Sequence, residues 1–381
     1  MSNTLMIHLG TPKTGTSALQ KFLADNAEKL KEKGWCYPDL EKDWATINLR
    51  KDYNLAKNGG LIKFSLAEKW PEWEKDVLWK IIYNYLKHYN VILSDEGLWS
   101  YPGLDFSDII NELRNRYENV KIICYFRRQD LYIESKWNQD VKAGFYDGSV
   151  LEYFEIKKEE FDYKQRLGQL SKLFGRENVI VRVYEKGQFG GERRDITSDF
   201  LDACKIDNTW EEIKFPGHVN ERIDSDVLGL KHLFNKKYSE ETAKIGIQSD
   251  SQVSIGKCFL DMKLNESSSK LGYISTELRK TFMDKYEADN AYIAREYLGR
   301  NNGTLFYEQE CDIPLYVPTF SEREEKIIHM FAKMVAGQEK KCQNLEKKLN
   351  AITTVNKVPK EVRGFIRRVL IVGTFRKLKF K

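Results

Sequence analysis

The 381-residue sequence lacks the patterns that mark metal sites, secretion and membrane spans. Its six cysteines include no C-x-x-C pair, and its five histidines form no ligand pair at helical spacing, so we expect reduced thiols and no required metal. No apolar run approaches the roughly 20 residues of a spanning helix. The opening residues, MSNTLMIHLG, do not resemble a signal peptide. These absences predict a cytoplasmic protein.

Charge is concentrated at one end of the chain. The net charge is +5, yet residues 340–381 hold 13 Lys or Arg and two Glu, which gives this segment +11 and leaves about −6 for the rest. The segment contains only three aromatic residues and no nucleic-acid recognition motif, so we expect no nucleic-acid partner.

The stretch IHLGTPKTGTSALQKFL, residues 7–23, predicts a strand, a tight turn and a helix. A nucleotide-binding P-loop reads G-x-x-x-x-G-K-[ST]. Here Gly10, Gly15 and Ser17 have the required spacing, but the lysine is Lys13 and position 16 is threonine. The N–H groups of residues 14–17 would bind one phosphate at the positive end of the helix dipole. The alternative is a helix capped by a Ser or Thr side chain after a glycine turn.

Strands alternate with helices along the first 200 residues. This alternation predicts an α/β fold, a P-loop-like parallel sheet flanked by helices, with a helical C-terminal extension. The loops GTPKTGTS, SDEG and RRQD each follow a predicted strand, where ligands bind in parallel sheets. The predicted strands span 5–9, 91–94, 120–126 and 179–184, and predicted helices span 73–87, 131–143, 162–174 and 194–204.

The loop RRQD carries a second candidate phosphate site. Arg127 and Arg128 end a strand, and Ser135 follows eight residues after Arg127, near the start of the next helix. An arginine combined with a hydroxyl at a helix start suits a terminal phosphate.

With TPKTGTS and RRQDLYIES both present, residues 4–308 resemble the sulfotransferases that use 3′-phosphoadenosine 5′-phosphosulfate (PAPS). The segments VRVYEKGQF and YEADNAYIAREYLG are similar to parts of bacterial glycan-modifying members, of the capsule and lipopolysaccharide type. The resemblance implies transfer of a sulfonate group from PAPS to a hydroxyl of a glycan or glycolipid acceptor, with PAP as the second product and no metal.

The resemblance also implies roles for individual residues. The first loop would hold the 5′-phosphosulfate, while Arg127 and Ser135 would hold the 3′-phosphate. Lys13 would stabilise the oxygen that bridges phosphorus and sulfur, where negative charge grows as the bond breaks. The implied donor-binding residues are Pro12, Lys13, Thr14, Gly15, Thr16, Ser17, Arg127 and Ser135.

The acceptor hydroxyl needs a base, and Glu96 in LSDEG is the candidate. A carboxylate in a closed cleft can accept a proton near neutral pH. Members that act on polysaccharides use a Glu after a comparable strand, whereas the K-T-H setting of members that act on small phenols does not occur here. Asp95 is the alternative base, an acidic helix cap is the structural alternative, and His218 is a further cleft candidate.

Two other classes of function remain open at this point. A P-loop kinase-like phosphotransferase on a small molecule or sugar would share the fold, but it requires a lysine at position 16 and a carboxylate for magnesium. A nucleic-acid binder would use the basic C-terminal segment.

Beyond a sulfotransferase domain over residues 1–310, the sequence predicts an amphipathic or coiled-coil-like helix over 321–353 and a basic amphipathic tail over 357–381. The helix would either form a homodimer through residues 328–352 or pack on its own domain. The tail would contact an anionic membrane surface at the inner face or a partner. The heptad positions are Ile328, Phe331, Val335, Gln338, Cys342, Leu345, Leu349 and Ile352.

Overall fold

The structure is a computed structural model. It describes residues 3–40, 42–43, 58–100, 105–207, 214–215, 225–247, 271–308 and 313–356, with side chains to residue 348. His218 and the tail 357–381 lie outside the described residues.

The centre of the fold is a parallel sheet of five strands, in the order β2-β3-β1-β4-β5. This sheet, with helices between successive strands, confirms the predicted α/β class. The two-residue strand β2 is an addition to the predicted set. The strands are β1 (Leu5–Gly10), β2 (Trp35–Cys36), β3 (Asn90–Ser94), β4 (Val120–Phe126) and β5 (Val179–Val183).

Helices lie between successive strands of the sheet, and the three longest described helices follow β5 in the chain. In chain order the described helices are α1 (Thr16–Asp25), α2 (Ala27–Glu32), α3 (Gly60–Ala67), α4 (Glu72–Leu86), α5 (Phe106–Arg116), α6 (Gln129–Ala143), α7 (Val150–Lys157), α8 (Tyr163–Phe174), α9 (Ile196–Ala203), α10 (Ser225–Ile245), α11 (Thr276–Leu298) and α12 (Glu322–Asn356).

The apolar runs of the sequence form the interior of the sheet. Every residue of β1 is buried, as expected for the central strand of a parallel sheet covered on both faces. The α1 side chains Leu19, Phe22 and Leu23 pack against Met6 of β1 in one buried cluster. Each such side chain stabilises the fold by about 1.5–3 kcal/mol relative to an exposed position.

The strand order determines where the functional loops meet. Because β1 lies between β3 and β4, the loops that follow these three strands emerge side by side at the carboxyl edge. These are the three loops that the sequence singles out.

The chain divides into two compact units. The first comprises Met1–Lys136, Phe154–Glu221 and Ile274–Ile313, and it contains the sheet. The second comprises Trp137–Tyr153, Arg222–Tyr273 and Pro314–Lys381. The predicted boundaries near residues 310, 321, 353 and 357 stay predictions.

Within the second unit, α12 packs along α10. Ile328, Ala332 and Ala336 are buried against a cluster that includes Phe234 and Tyr238. The first part of the predicted heptad seam therefore contacts a helix of the same chain, whereas Leu345 is 43% exposed. The homodimer through residues 328–352 stays a prediction. Of the helices that the structure describes, none combines the length and apolar character needed to cross a membrane.

Candidate functional site

The first loop is tied to the end of β4. The backbone N–H and the hydroxyl of Thr11 both donate to the carbonyl oxygen of Tyr125, at 2.9 and 3.0 Å. The hydroxyl of Thr14 donates to the carbonyl oxygen of Thr11 at 2.5 Å, which closes the turn on itself. These protein hydrogen bonds hold the loop in its conformation.

Helix α1 begins directly after this turn without a side-chain cap. Gly15 is the N-cap at φ +72° and, having no side chain, makes no side-chain cap hydrogen bond. The first turn also lacks an acidic residue. The Ser- or Thr-capped helix considered from the sequence is therefore not what forms, and the positive end of the α1 dipole lies at the loop.

Arg127 connects the RRQD loop, which follows β4, to the first loop, GTPKTGTS. Its Nη1 donates to the carbonyl oxygen of Lys13 at 3.2 Å, and its own carbonyl oxygen accepts from the hydroxyl of Tyr163 at 2.8 Å. Burial lowers the pKa of the Arg127 guanidinium, because removal from water disfavours the charged form. A half-buried cation near the start of α1, which has no side-chain cap from Gly15, favours a bound anion.

Arg128 has a different role from its neighbour. Its Nε donates to Oδ1 of Asp130 at 3.2 Å, inside a buried group of charges where Nη2 of Arg279 donates to Oε2 of Glu134 at 2.6 Å. Arg128 therefore helps to hold the start of α6, and Arg127 is the arginine at the first loop. Ser135 is half-buried in the second turn of α6, and its place at a phosphate stays a prediction.

In the SDEG loop, which follows β3, the two acidic residues make different contacts. Asp95 is 1% exposed; its Oδ1 accepts from the N–H of Gly97 at 2.7 Å, and its Oδ2 accepts from Nζ of Lys63 at 2.9 Å. The acidic cap is thus Asp95, which is engaged on both oxygens. Glu96 is half-buried, and its Oε2 accepts from Nε2 of Gln20 at 3.1 Å.

Glu96 lies directly beside the first loop. Gly10 has φ +92°, and a Cβ added there would lie 2.9 Å from the Cβ of Glu96. Only glycine combines this left-handed backbone with so close an approach. The structure therefore brings Glu96 beside Gly10, at the start of the loop, and Arg127 against the backbone of Lys13 in the same loop, all within the first unit.

Three residues at the site are absent from the sequence-based prediction. They are Gln20, which contacts Glu96; Tyr163, which supports Arg127; and Tyr184, whose ring would lie 3.0 Å from a Cβ on Gly15. Gln20 could have been found from the sequence, because helical spacing places this polar residue on the buried face of α1, four residues after Thr16. Tyr184 directly follows β5, at the same edge of the sheet as the other loops.

His8 is a core residue. It is fully buried, with Nδ1 at 2.9 Å from Oγ of Ser94 and its ring edge-on to those of Tyr125 and Phe200. Over the described residues, no group of three or more His, Cys, Asp or Glu side chains is placed to hold a metal ion.

No known protein-family model matches the chain. An uncharacterized protein from Archaeoglobus fulgidus is 28% identical over 217 residues, which are 55% of this chain and 56% of that protein. This chain therefore spans about half the length of that relative.

Two solved structures are similar to the chain, and each match covers 69% of it. A sulfotransferase from Alicyclobacillus acidocaldarius gives a TM-score of 0.35 at 14% identity, with 98% of that chain covered. A sulfotransferase domain from the curacin biosynthetic pathway gives a TM-score of 0.36 at 12% identity, with 99% covered.

Replacing Gly10 with alanine should displace Glu96 and destabilise the fold. Gly34→Ala is a matched control, because Gly34 has φ +77° and an added Cβ would meet no described atom within 4 Å. Gly34→Ala should lower the free energy of unfolding by about 1–2 kcal/mol, the cost of a left-handed L-residue. Gly10→Ala should lower it by about 1–3 kcal/mol more through overpacking. Urea denaturation measures both, and equal losses would contradict the close approach of Gly10 and Glu96.

Proposed function

We propose that this protein transfers a sulfonate group from PAPS to a hydroxyl group of a glycan or glycolipid, giving PAP and a sulfated sugar. The observation that carries the proposal is the hydrogen bond from Arg127 Nη1 to the carbonyl oxygen of Lys13. It joins the two loops that the resemblance assigns to opposite ends of one donor molecule.

The residues of the two loops suit a ligand with two separate phosphates. The turn that leads into α1 has glycine at the N-cap and so no side-chain cap from that residue, which suits the 5′-phosphosulfate. We assign this group to Pro12, Lys13, Thr14, Gly15, Thr16 and Ser17. Arg127 supplies a desolvated guanidinium next to that turn, and we assign it, with the Ser135 hydroxyl, to the 3′-phosphate. A bidentate guanidinium-phosphate contact is both strong and directional.

The chemistry is divided between Lys13, in the first loop, and Glu96, beside it. PAPS supplies the sulfonate group when bound. Lys13 places its ammonium group near the oxygen that takes up negative charge as the bond to sulfur breaks, which stabilises the transition state. Glu96 accepts the proton of the acceptor hydroxyl as the new oxygen–sulfur bond forms. We assign the base to Glu96, because Asp95 is already held by Lys63 and the N–H of Gly97.

The competing P-loop phosphotransferase is less well supported by the site. Position 16 is a buried threonine, 4% exposed, at the point where such enzymes place a lysine. A thermal-shift comparison of PAP with magnesium-ATP separates the two functions, since a ligand that binds the native state raises its melting temperature. Stabilisation by magnesium-ATP alone would favour the phosphotransferase.

Replacing Arg127 with alanine should weaken the binding of PAP. The loss should be that of a charge-assisted hydrogen bond, about 1.5–3 kcal/mol in binding free energy. Isothermal titration with PAP measures it, and Arg114→Ala, an exposed arginine on α5, is the matched control that should bind as wild type does. Equal affinity of Arg127→Ala and wild type would remove Arg127 from the donor site.

Substitutions at Lys13 and at Glu96 should have different effects on donor binding and on turnover. Lys13→Ala should lower turnover with every acceptor and also weaken PAPS binding, since a contact present in the ground state is lost along with the transition-state contact. Glu96→Gln keeps the shape of the side chain and removes the base. It should leave PAP affinity intact and lower transfer by roughly 10²–10⁴-fold.

The measurement is sulfate transfer from labelled PAPS to a panel of cell-envelope glycans, phenols and amines. Asp95→Asn is the discriminating variant: it should lower thermal stability through the lost Lys63 contact yet keep turnover per folded molecule. Full loss of transfer in Asp95→Asn with normal transfer in Glu96→Gln would make Asp95 the base. A preference for simple phenols would refute the glycan acceptor.

A further inference from the structure

Gln20 is a polar side chain on the buried and mostly apolar face of α1. It lies in the second turn of α1, four residues after Thr16, and is only 5% exposed. Its neighbours on that face, Leu19 and Leu23, are fully buried. A buried amide costs free energy unless it is hydrogen-bonded, so a position that served only packing would favour leucine or methionine.

Both hydrogen bonds of the Gln20 amide nitrogen go to the end of β3. Nε2 donates to Oε2 of Glu96 at 3.1 Å and to Oγ of Ser94 at 3.2 Å. Ser94 is itself held in place: its N–H donates to Oδ1 of Asn58 at 2.8 Å, and its Oγ lies 2.9 Å from Nδ1 of His8. Gln20 therefore bridges a fixed hydroxyl and the carboxylate of Glu96.

The chemistry of the amide decides which end of Gln20 faces Glu96. A carboxylate has only acceptor oxygens, so the NH₂ end of Gln20 must face it. The opposite orientation would bring the carbonyl oxygen of Gln20 against Oε2, with two acceptors in contact. The contact therefore ties Oε2 of Glu96 to a side chain of α1.

We propose that Gln20 is the positioning residue for Glu96. This inference rests on the proposed function, in which Glu96 is the base. Gln20 holds Oε2 of Glu96 so that the carboxylate meets the acceptor hydroxyl in one orientation. Because Gln20 belongs to the helix whose first turn binds the donor phosphate, it also fixes the distance between the base and the donor loop. Gln20 acts through Glu96 and does not touch the reacting atoms.

The test is a double-mutant cycle on transfer from labelled PAPS to the panel acceptor that wild type sulfates fastest. Gln20→Met keeps the length of the side chain and removes the donor. Its kcat should fall about 10- to 100-fold, the effect of a misplaced catalytic group. Its PAP dissociation constant should stay within roughly twofold of wild type. Lys21→Met, on the exposed side of the same helix, is the matched control and should keep the wild-type kcat.

The decisive comparison is made in the Glu96→Gln background. If Gln20 acts only through the carboxylate, adding Gln20→Met to Glu96→Gln should change kcat by less than roughly twofold. An equal fall in both backgrounds, or an unchanged kcat in Gln20→Met alone, would overturn the inference. If Gln20→Met does not fold, Gln20→Asn replaces it, since it keeps the amide but withdraws it from Glu96 by one methylene, and the same outcomes apply.

Failure of the proposed function gives a different result. A wild-type protein that binds no PAP and sulfates no member of the panel would refute sulfonate transfer, and the inference about Gln20 falls with it. A wild type that transfers sulfonate, together with a fully active Gln20→Met, refutes only the positioning role.

Discussion

The guanidinium of Arg127 donates to the carbonyl oxygen of Lys13, and the account of this site depends on that contact. The strand order makes the contact available, because β1 and β4 are neighbours and their loops leave the sheet at the same edge. Thr11 reinforces it by donating twice to Tyr125, the residue two before Arg127. Two stretches more than 100 residues apart in sequence therefore form one surface.

Ion pairs engage the charged residues next to Arg127 and Glu96. Arg128, Asp130, Glu134 and Arg279 form a buried group in which opposite charges are paired. Such a group adds little net stability but becomes costly when one member is removed. It fixes the start of α6 and keeps Arg128 away from the first loop. On the other side, Lys63 engages Asp95. Arg128 and Asp95 are thus engaged in ion pairs. Their sequence neighbours Arg127 and Glu96 are the residues that lie at the first loop.

Much of the sheet is predictable from the sequence, for a physical reason. Central parallel strands are buried on both faces, so β1, β3 and β4 are mostly apolar runs, interrupted by His8 and Lys121, that end at polar loops. Strand β2 has two residues, too few for any pattern. The contact between α10 and α12 uses Ala332 and Ala336, and a search for large apolar residues at heptad spacing passes over alanines that let two helices approach closely.

The candidate site is predictable only as far as residues in the loops that follow strands. Lys13, Glu96 and Arg127 have this placement, so the topology alone brings them to one edge. Gln20 does not: it lies inside a helix, and its importance depends on the register between α1 and the end of β3. The choice between Asp95 and Glu96 likewise needs side-chain contacts, because adjacent residues share the same position in the topology.

We propose that the two loops bind the two phosphates of one adenine nucleotide. Calorimetric titration of the wild-type protein with PAP and with adenosine 5′-monophosphate, which lacks the 3′-phosphate, tests it directly. The account predicts that PAP binds more tightly by about 1.5–3 kcal/mol, the strength of a hydrogen bond to a charged group. Equal affinities for the two nucleotides would show that Arg127 does not hold a 3′-phosphate and would contradict the account.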